Sequence, residues 1–184
     1  MNNIKIRELF ADDLDEYFEL NKPNKEFHKY NGPYFKKDTV EELKAAVSKI
    51  RDFLVEGNLL ERKKMIVNSV TDELIGEVSW YWKSEETNWL EIGIVIFNEK
   101  YWGCGIGFEA MIKWINYVFN QKKDIVRIGL TTWSGNERMM KLSEKLGFKC
   151  EAKYRNARIV EGKYYDSVSY GLLREEWEEL SWKE

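Results

Sequence analysis

The first half of the chain alternates between apolar and polar positions in the manner of a strand followed by amphipathic helices. The segment IKIREL has the two-residue period of a strand, and DDLDEYFEL places Leu14, Tyr17 and Phe18 at helical spacing behind acidic residues. A loop that contains both prolines, NKPNKEFHKYNGPYFKKD, leads to a second predicted helix, TVEELKAAVSKIRDFLVEG, with Asp38 as its expected N-cap.

Three strands joined by short connections are predicted next. They are KMIVNSV, LIGEVSWYW and WLEIGIVIF, and the connections TDE and KSEETN have hairpin length, which indicates an antiparallel meander. Along the second strand Trp80 and Trp82 fall on one face and Tyr81 on the other, so at least one of these aromatic side chains is expected in the core.

The second half of the chain alternates strand and helix. EAMIKWINYVFN is predicted as a helix, IVRIGLTTW as a strand and NERMMKLSEKLG as a helix that ends at Gly147; FKCEAKYRNARIV and YYDSVSYGLL form a strand pair around EGK. This order is typical of an α/β fold, here with about seven strands. Neither a repeat nor a linker interrupts it, so a single domain over residues 1–184 is expected.

Composition narrows the class of function. A hydrophobic content of 43% fills a core, and a net charge of −3 argues against nucleic acid and mildly favours a cationic partner. The charged start and the short apolar run IGIVIF predict a cytoplasmic protein that does not bind a membrane. Cys104 and Cys150 lack metal-ligand spacing, so we expect free thiols and no metal site.

Three glycines lie close together between a predicted strand and a predicted helix, in the stretch NEKYWGCGIGFEAM. Glycine permits sharp turns and close approach, and the unpaired N–H groups of a helix start bind phosphate. The stretch lacks the Gly-Lys-Ser/Thr ending of a nucleotide-triphosphate loop, and Phe108 stands where the dinucleotide fingerprint needs its last glycine. A glycine-rich turn without a ligand is the alternative.

The second half as a whole resembles the GNAT superfamily of acyl-coenzyme-A-dependent N-acetyltransferases. The family's pyrophosphate loop, Gln/Arg-x-x-Gly-x-Gly/Ala, is matched by WGCGIG from Trp102 to Gly107, and Trp at the first position is typical of the ribosomal-protein (alanine) N-acetyltransferase branch. Asn136 and the run EKLGF from Glu144 to Phe148 match a second signature. The similarity spans nearly the whole chain and is loose over residues 21–65.

The resemblance implies a single-domain GNAT fold with a mixed central sheet of about seven strands, flanked by helices and splayed between the fourth and fifth strands. The pantetheine arm of acetyl-coenzyme A would pair there with the backbone of Val95, Ile96 and Phe97. The pyrophosphate would lie on the loop and on the start of the next helix, at Trp102, Gly103, Cys104, Gly105, Ile106, Gly107 and Phe108. Asn136 would hydrogen-bond the pantetheine or the acceptor; a plain helix cap is the alternative.

The resemblance also implies the reaction, in which a primary amine attacks the thioester directly once a base has removed its proton. Glu91 is the first candidate base, and its alternative role is that of a solvated carboxylate at a strand end. Glu77 is the second candidate and Asp166 the third. A backbone N–H near Ile96 or Phe97 would stabilise the oxyanion.

The general acid is the point of departure from the family. Many members place a Tyr just before the Glu-Lys-x-Gly-Phe ending, where this chain has Ser143, and the ribosomal-protein branch often has Ser where this chain has Met139. Ser143 is therefore expected to help the departing thiolate only weakly.

The acceptor stays open. The branch suggests a protein N-terminus, aminoglycosides and polyamines are alternatives, and an acidic groove would suit all three. A module that binds coenzyme A without catalysis is the rival hypothesis, and the oligomeric state, a homodimer included, is undecided.

Overall fold

The computed structural model describes residues 3–180, so both ends of the predicted domain, residues 1–2 and 181–184, lie outside the description. Its strands are β1 (Ile4–Arg7), β2 (Lys63–Asn68), β3 (Leu74–Ser84), β4 (Trp89–Ile96), β5 (Arg127–Trp133), β6 (Lys149–Val160) and β7 (Lys163–Leu173). Its α-helices are α1 (Leu14–Asn21), α2 (Val40–Val55), α3 (Ile106–Gln121), α4 (Glu137–Lys145) and α5 (Arg174–Glu179). Short 3-10 turns occur at Ala11–Asp13, Glu26–Lys29 and Glu99–Tyr101.

The strands form a seven-stranded mixed sheet in the order β1-β2-β3-β4-β5-β7-β6. This confirms the predicted α/β class and the predicted number of strands. The chain divides into two compact units, one made of the residues up to Ser79 with Ile94–Ala110, the other of Trp80–Gly93 and the residues from Met111 on.

The first unit is an antiparallel array covered by two helices. β1 pairs with β2, and β2 pairs with β3, with Met65 opposite Glu77. Its core consists of buried side chains from the helices and strands: Leu9, Leu14, Tyr17, Phe27, Val47, Met65, Val67, Leu74 and Phe97. Apolar spacing on α1 and α2 directs these side chains inward, as the sequence predicts.

The N-cap of α2 is one residue later than predicted. The Thr39 hydroxyl accepts a hydrogen bond from the Glu42 N–H at 3.1 Å, and the Glu42 carboxylate accepts one from the Thr39 N–H at 2.7 Å. This reciprocal capping box satisfies two backbone donors, which Asp38 at the preceding position does not do.

The second unit contains the parallel part of the sheet. β4 runs parallel to β5, with Leu90 opposite Ile128 and Glu91 opposite Gly129. β5 and β6 each pair antiparallel with β7, so β6 is the edge strand. β4 pairs with β5 at those two positions, and the predicted splay concerns the stretch of β4 beyond them.

The aromatic stretch of β3 divides between the faces as its alternation predicts. Trp80 is buried and Tyr81 is exposed, and the Lys122 ammonium lies 4.8 Å from the centre of the Trp80 ring. Within residues 3–180, no helix has both the length and the apolar character needed to cross a membrane.

Candidate active site

The glycine loop, residues 102–107, joins the turn after β4 to α3. Gly103 has a φ of +74° and Gly105 a φ of +81°, a left-handed conformation that side chains with a Cβ adopt only at a cost. A Cβ on Gly103 would meet no atom within 4 Å. Gly107 already belongs to the first turn of α3 and is not among the residues with positive φ. Two of the three glycines are therefore required by the backbone itself.

The start of the loop and the residues before it are held by contacts within the first unit. The Trp102 indole N–H donates to the Ile96 carbonyl at 3.1 Å, and the Trp102 ring meets the Tyr30 ring edge-on at a centroid distance of 5.5 Å. Just before the loop, Lys100 and Tyr101 donate to Glu73 at 2.7 and 2.8 Å. These hydrogen bonds from Lys100 and Tyr101 hold the pKa of Glu73 below its usual range. Trp102 thus ties the loop to the end of β4.

The residues at the end of β4 have distinct surroundings. Phe97 is buried against Tyr17 and Phe27, and its N–H donates to the Ile75 carbonyl at 3.0 Å. Because that N–H is engaged by β3, it is not free for an oxyanion. Successive backbone groups of a strand alternate in direction, so the Ile96 N–H points to the edge of β4 opposite β3. Of the two predicted oxyanion donors, Ile96 fits the geometry better.

The close pairing of β3 with the end of β4 depends on one glycine. A Cβ on Gly76 would lie 2.2 Å from the Val95 carbonyl oxygen. The missing side chain therefore lets the two strands approach where Val95 and Ile96 are expected to receive the pantetheine arm.

The loop fits an anionic group. α3 begins at Ile106 and is 16 residues long, so its dipole favours negative charge at this end. Ile106 is buried and Phe108 is half-buried, and both side chains are apolar. Only their backbone N–H groups are therefore suited to contact the pyrophosphate. Cys104 is exposed and is a free thiol, as predicted.

Glu91 is the most enclosed carboxylate among the predicted site residues. It is 3% exposed, so the alternative of a solvated carboxylate at a strand end is wrong. One oxygen, Oε2, accepts the Tyr81 hydroxyl at 2.5 Å, and the other, Oε1, accepts the Thr131 hydroxyl at 3.0 Å. The Lys83 ammonium lies 3.7 Å from Oε1.

Space for Glu91 is provided by a glycine on the neighbouring strand. A Cβ on Gly129 would lie 3.1 Å from the Glu91 Cγ, closer than side chains usually pack. Gly129 is the cross-strand partner of Glu91 on β5, so a larger residue there would displace the carboxylate.

Glu77, the second candidate base, is part of an ion pair in the first unit. Its Oε2 accepts the Tyr17 hydroxyl and lies 2.9 Å from the Lys63 ammonium. Burial, together with the charge of Glu77, raises the pKa of Tyr17 to about 12. Burial alone would lower the pKa of Lys63, but the attraction of Glu77 and Tyr17 outweighs it and raises that pKa above its ordinary value. These contacts give Glu77 a structural role.

Asp166, the third candidate base, is held as an anion on β7. The Asn156 N–H donates to it at 2.9 Å and Lys153 lies at 3.1 Å, so its pKa is below the usual range. A carboxylate with a lowered pKa is a weaker base than an ordinary one, which disfavours Asp166 for removing a proton from an amine.

Asn136 and Ser143 both contact the backbone of Met139 in α4. The Asn136 side-chain oxygen, Oδ1, accepts a hydrogen bond from the Met139 N–H at 3.2 Å and caps the helix, which is the alternative role named for it. The Ser143 hydroxyl is fully buried and donates to the Met139 carbonyl at 2.7 Å. Any contact of Asn136 with the coenzyme remains a prediction.

The sequence reasoning did not single out Tyr81 or Thr131 as partners of Glu91. A partial signal for Tyr81 was present, because Tyr81 and Glu91 both lie within a few residues of the turn that joins β3 to β4. Side chains near such a turn come close across the two strands. Thr131 lies on a strand that is distant in the sequence, and no local pattern predicts its contact with Glu91.

Among residues 3–180, no group of three or more His, Cys, Asp and Glu side chains is arranged to hold a metal ion.

Comparison with known proteins extends this picture. Residues 3–149 match the family described as acetyltransferase (GNAT) domain. The chain is 34% identical over 105 residues to the provisionally named ribosomal N-acetyltransferase YdaF of Bacillus subtilis (strain 168), covering 57% of this chain and 56% of that relative, or about half its length. It is 28% identical over 145 residues to the uncharacterised N-acetyltransferase YoaA of the same organism, covering 77% and 79%.

Solved structures share the fold. A GNAT-family acetyltransferase from Bacillus anthracis superposes with a TM-score of 0.75 at 22% identity, over 95% of this chain and 96% of that one. A spermidine N-acetyltransferase from Vibrio cholerae, solved with CoA and spermine, gives a TM-score of 0.75 at 20% identity, over 95% and 98%. The family match and the relatives named N-acetyltransferases point to the same family.

Proposed function

Because the chain belongs to the GNAT acetyltransferase family, we propose that it transfers an acetyl group from acetyl-coenzyme A to a primary amine by direct attack on the thioester. The observation that carries the proposal is the glycine loop, whose left-handed Gly103 and Gly105 lead into the N-terminus of α3. This is a backbone site for the coenzyme's pyrophosphate. Acetyl-coenzyme A supplies the activated acyl group.

The residues of the chain then have three tasks. Glu91 takes up the proton that the ammonium form of the acceptor must lose. The Ile96 N–H donates to the carbonyl oxygen as negative charge develops on it. The thiolate leaves with modest help, because a thiol with a pKa of roughly 8.5 is already a stable leaving group.

The acceptor we propose is the N-terminal amine of a protein. The similarity to YdaF supports this choice, whereas the likeness to the spermidine enzyme is one of fold. An acidic groove for a polyamine also finds little support in the sheet. Its carboxylates lie beside cations, in the pairs Glu77–Lys63, Glu91–Lys83, Glu151–Arg127 and Asp166–Lys153. A polycation needs carboxylates that are not already neutralised.

The experiment measures thiol release from acetyl-coenzyme A with a panel of amines: peptides with a free N-terminus, spermidine and an aminoglycoside. We expect turnover with the peptides. Turnover with spermidine alone would move the acceptor to polyamines. Calorimetric binding of coenzyme A without turnover on any amine would favour the non-catalytic module.

Location and assembly belong to the same proposal. The free thiols Cys104 and Cys150 agree with a reducing cytoplasm. A single domain over residues 1–184 and a homodimer stay predictions, and size-exclusion chromatography with light scattering tests the second.

A further inference from the structure

Glu91 is poorly placed to receive a proton directly from an acceptor in solvent. It is 3% exposed, and each of its two carboxylate oxygens already accepts a hydroxyl hydrogen bond. A proton that reaches it must therefore pass through one of the groups that contact it.

The neighbours of Glu91 differ in what they are able to do. The titratable groups that face it are Tyr81 and Lys83, both from β3; β5 contributes Thr131 and the backbone of Gly129. Lys83 as an ammonium has no lone pair with which to accept a proton. The Thr131 hydroxyl is also within 3.1 Å of the Ser169 hydroxyl on β7, which places it inside the sheet network.

Tyr81 connects the carboxylate to solvent. Its side chain is 46% exposed, while its hydroxyl lies 2.5 Å from Oε2 of Glu91. A phenol both donates and accepts hydrogen bonds, so the same oxygen is able to take one proton while it gives another.

Building on the proposed function, we propose that Tyr81 relays the acceptor's proton to Glu91. The ammonium proton moves to the Tyr81 hydroxyl oxygen as the hydroxyl's own proton moves to Oε2 of Glu91. The result is a neutral amine, an unchanged tyrosine and a protonated glutamic acid. The amine's lone pair then forms the C–N bond, the C–S bond breaks, the second amine proton neutralises the thiolate, and Glu91 returns its proton to solvent by the same path.

The test compares Tyr81→Phe with Thr131→Val, since each removes one hydroxyl hydrogen bond from Glu91. Tyr154→Phe, at an exposed tyrosine on β6, is the control for loss of a phenol elsewhere. The assay is thiol release with acetyl-coenzyme A and a tetrapeptide bearing a free α-amino group, from pH 6 to pH 10. Calorimetry gives the dissociation constant for coenzyme A.

Tyr81→Phe is expected to lower kcat/KM for the peptide at pH 7 by about 10- to 100-fold, up to the bottom of the ~10²–10⁴ range for acid–base groups, with coenzyme affinity unchanged. The deficit should shrink as the pH passes the amine's pKa of about 8, because the neutral amine needs no relay. Thr131→Val should lower kcat/KM by less than about fivefold at all pH values, as expected for the loss of one hydrogen bond. Tyr154→Phe should have the same kcat/KM as the wild type.

Two results overturn the relay while leaving acetyl transfer in place. One is a Tyr81→Phe deficit that is constant across the pH range, and the other is an equal loss in Thr131→Val, since either makes Tyr81 a positioning residue. Absence of thiol release by the wild type with every amine removes the proposed function, and the relay with it.

Discussion

At the residue scale, the surroundings of Ser143 decide how much it contributes as an acid. Its hydroxyl proton is donated to the Met139 carbonyl at 2.7 Å, and the Ser143 side chain is fully buried. A hydroxyl already used in this way, with the high pKa of an alcohol, is a poor proton donor to sulfur.

Ser143→Ala is therefore expected to lower kcat by less than about tenfold, well below the ~10²–10⁴ typical of a true acid–base group. Steady-state thiol release measures the effect, and calorimetry with coenzyme A checks that the site is intact. A loss beyond a hundredfold with unchanged coenzyme affinity would make Ser143 the catalytic donor.

Glu91 allows a second prediction at this scale, through its charge. Glu91→Gln keeps the shape of the side chain but replaces one accepting oxygen with a donating NH2 group and removes the base, so kcat/KM for the acceptor should fall at neutral pH. The loss in kcat/KM should become smaller at pH values above the pKa of the amine, where the amine is neutral without a base.

The pH of recovery identifies the acceptor class. A protein α-amine, with a pKa of about 8, should rescue the variant near that pH, whereas an alkylamine should do so near about 10. The pH profile of kcat/KM is the measurement. A profile parallel to that of the wild type would remove Glu91 from the role of base.

At the scale of elements, glycines occur for two different reasons at the junction of the glycine loop with α3: the backbone conformation and the space beside the helix N-terminus. Gly105 has a left-handed φ of +81°, whereas Gly107 lies within α3. A side chain at residue 105 introduces both strain and bulk, and one at residue 107 introduces bulk alone beside the helix N-terminus.

Gly105→Val and Gly107→Val are both expected to weaken coenzyme A binding by at least about tenfold, equivalent to about 1.4 kcal/mol. Gly162→Val is the matched control, because Gly162 has a φ of +76° in the β6–β7 turn and its Cβ would meet no atom within 4 Å. Gly162→Val should introduce the same kind of backbone strain without lowering the affinity for coenzyme A. Unchanged dissociation constants for both loop variants in folded protein would refute the pyrophosphate assignment.

At the scale of the whole molecule, stability depends on the buried group formed by Tyr17, Lys63 and Glu77. Glu77→Gln leaves the Lys63 cation beside Tyr17 without its anion and should cost about 1–3 kcal/mol in the free energy of unfolding. Urea unfolding measures the change. Glu85→Gln, at an exposed position in the β3–β4 turn, is the control and should stay within about 0.5 kcal/mol.

The same group sets an alkaline limit. The folded-state pKa of Tyr17 is raised to about 12, so its contribution to stability is complete below the ordinary tyrosine value and is lost as the pH rises through the folded one. The raised pKa of Lys63 acts in the same direction. The melting temperature should therefore fall between about pH 10 and pH 12, and less steeply in Tyr17→Phe. Equal slopes for the wild type and this variant would contradict the assignment.

Local patterns in the sequence determined the strands, the helices and the glycine loop, because alternation, helical spacing, caps and turn residues act over a few positions. The resemblance built on the loop led to the GNAT family, which the match over residues 3–149 confirms. The α/β class with seven strands is confirmed as well. The N-cap at Thr39 instead of Asp38 shows the one-residue limit of such patterns, since either side chain suits a cap.

Tertiary structure alone decided what each functional side chain touches. Glu91 and Glu77 are both glutamates on neighbouring strands, yet one accepts the hydroxyls of Tyr81 and Thr131 and the other pairs with Lys63. Ser143 likewise turns to the helix backbone and not outward. The burial and the hydrogen bonds of a side chain depend on strands and helices that are distant in the sequence. Those contacts determine whether a carboxylate or a hydroxyl is able to take part in proton transfer.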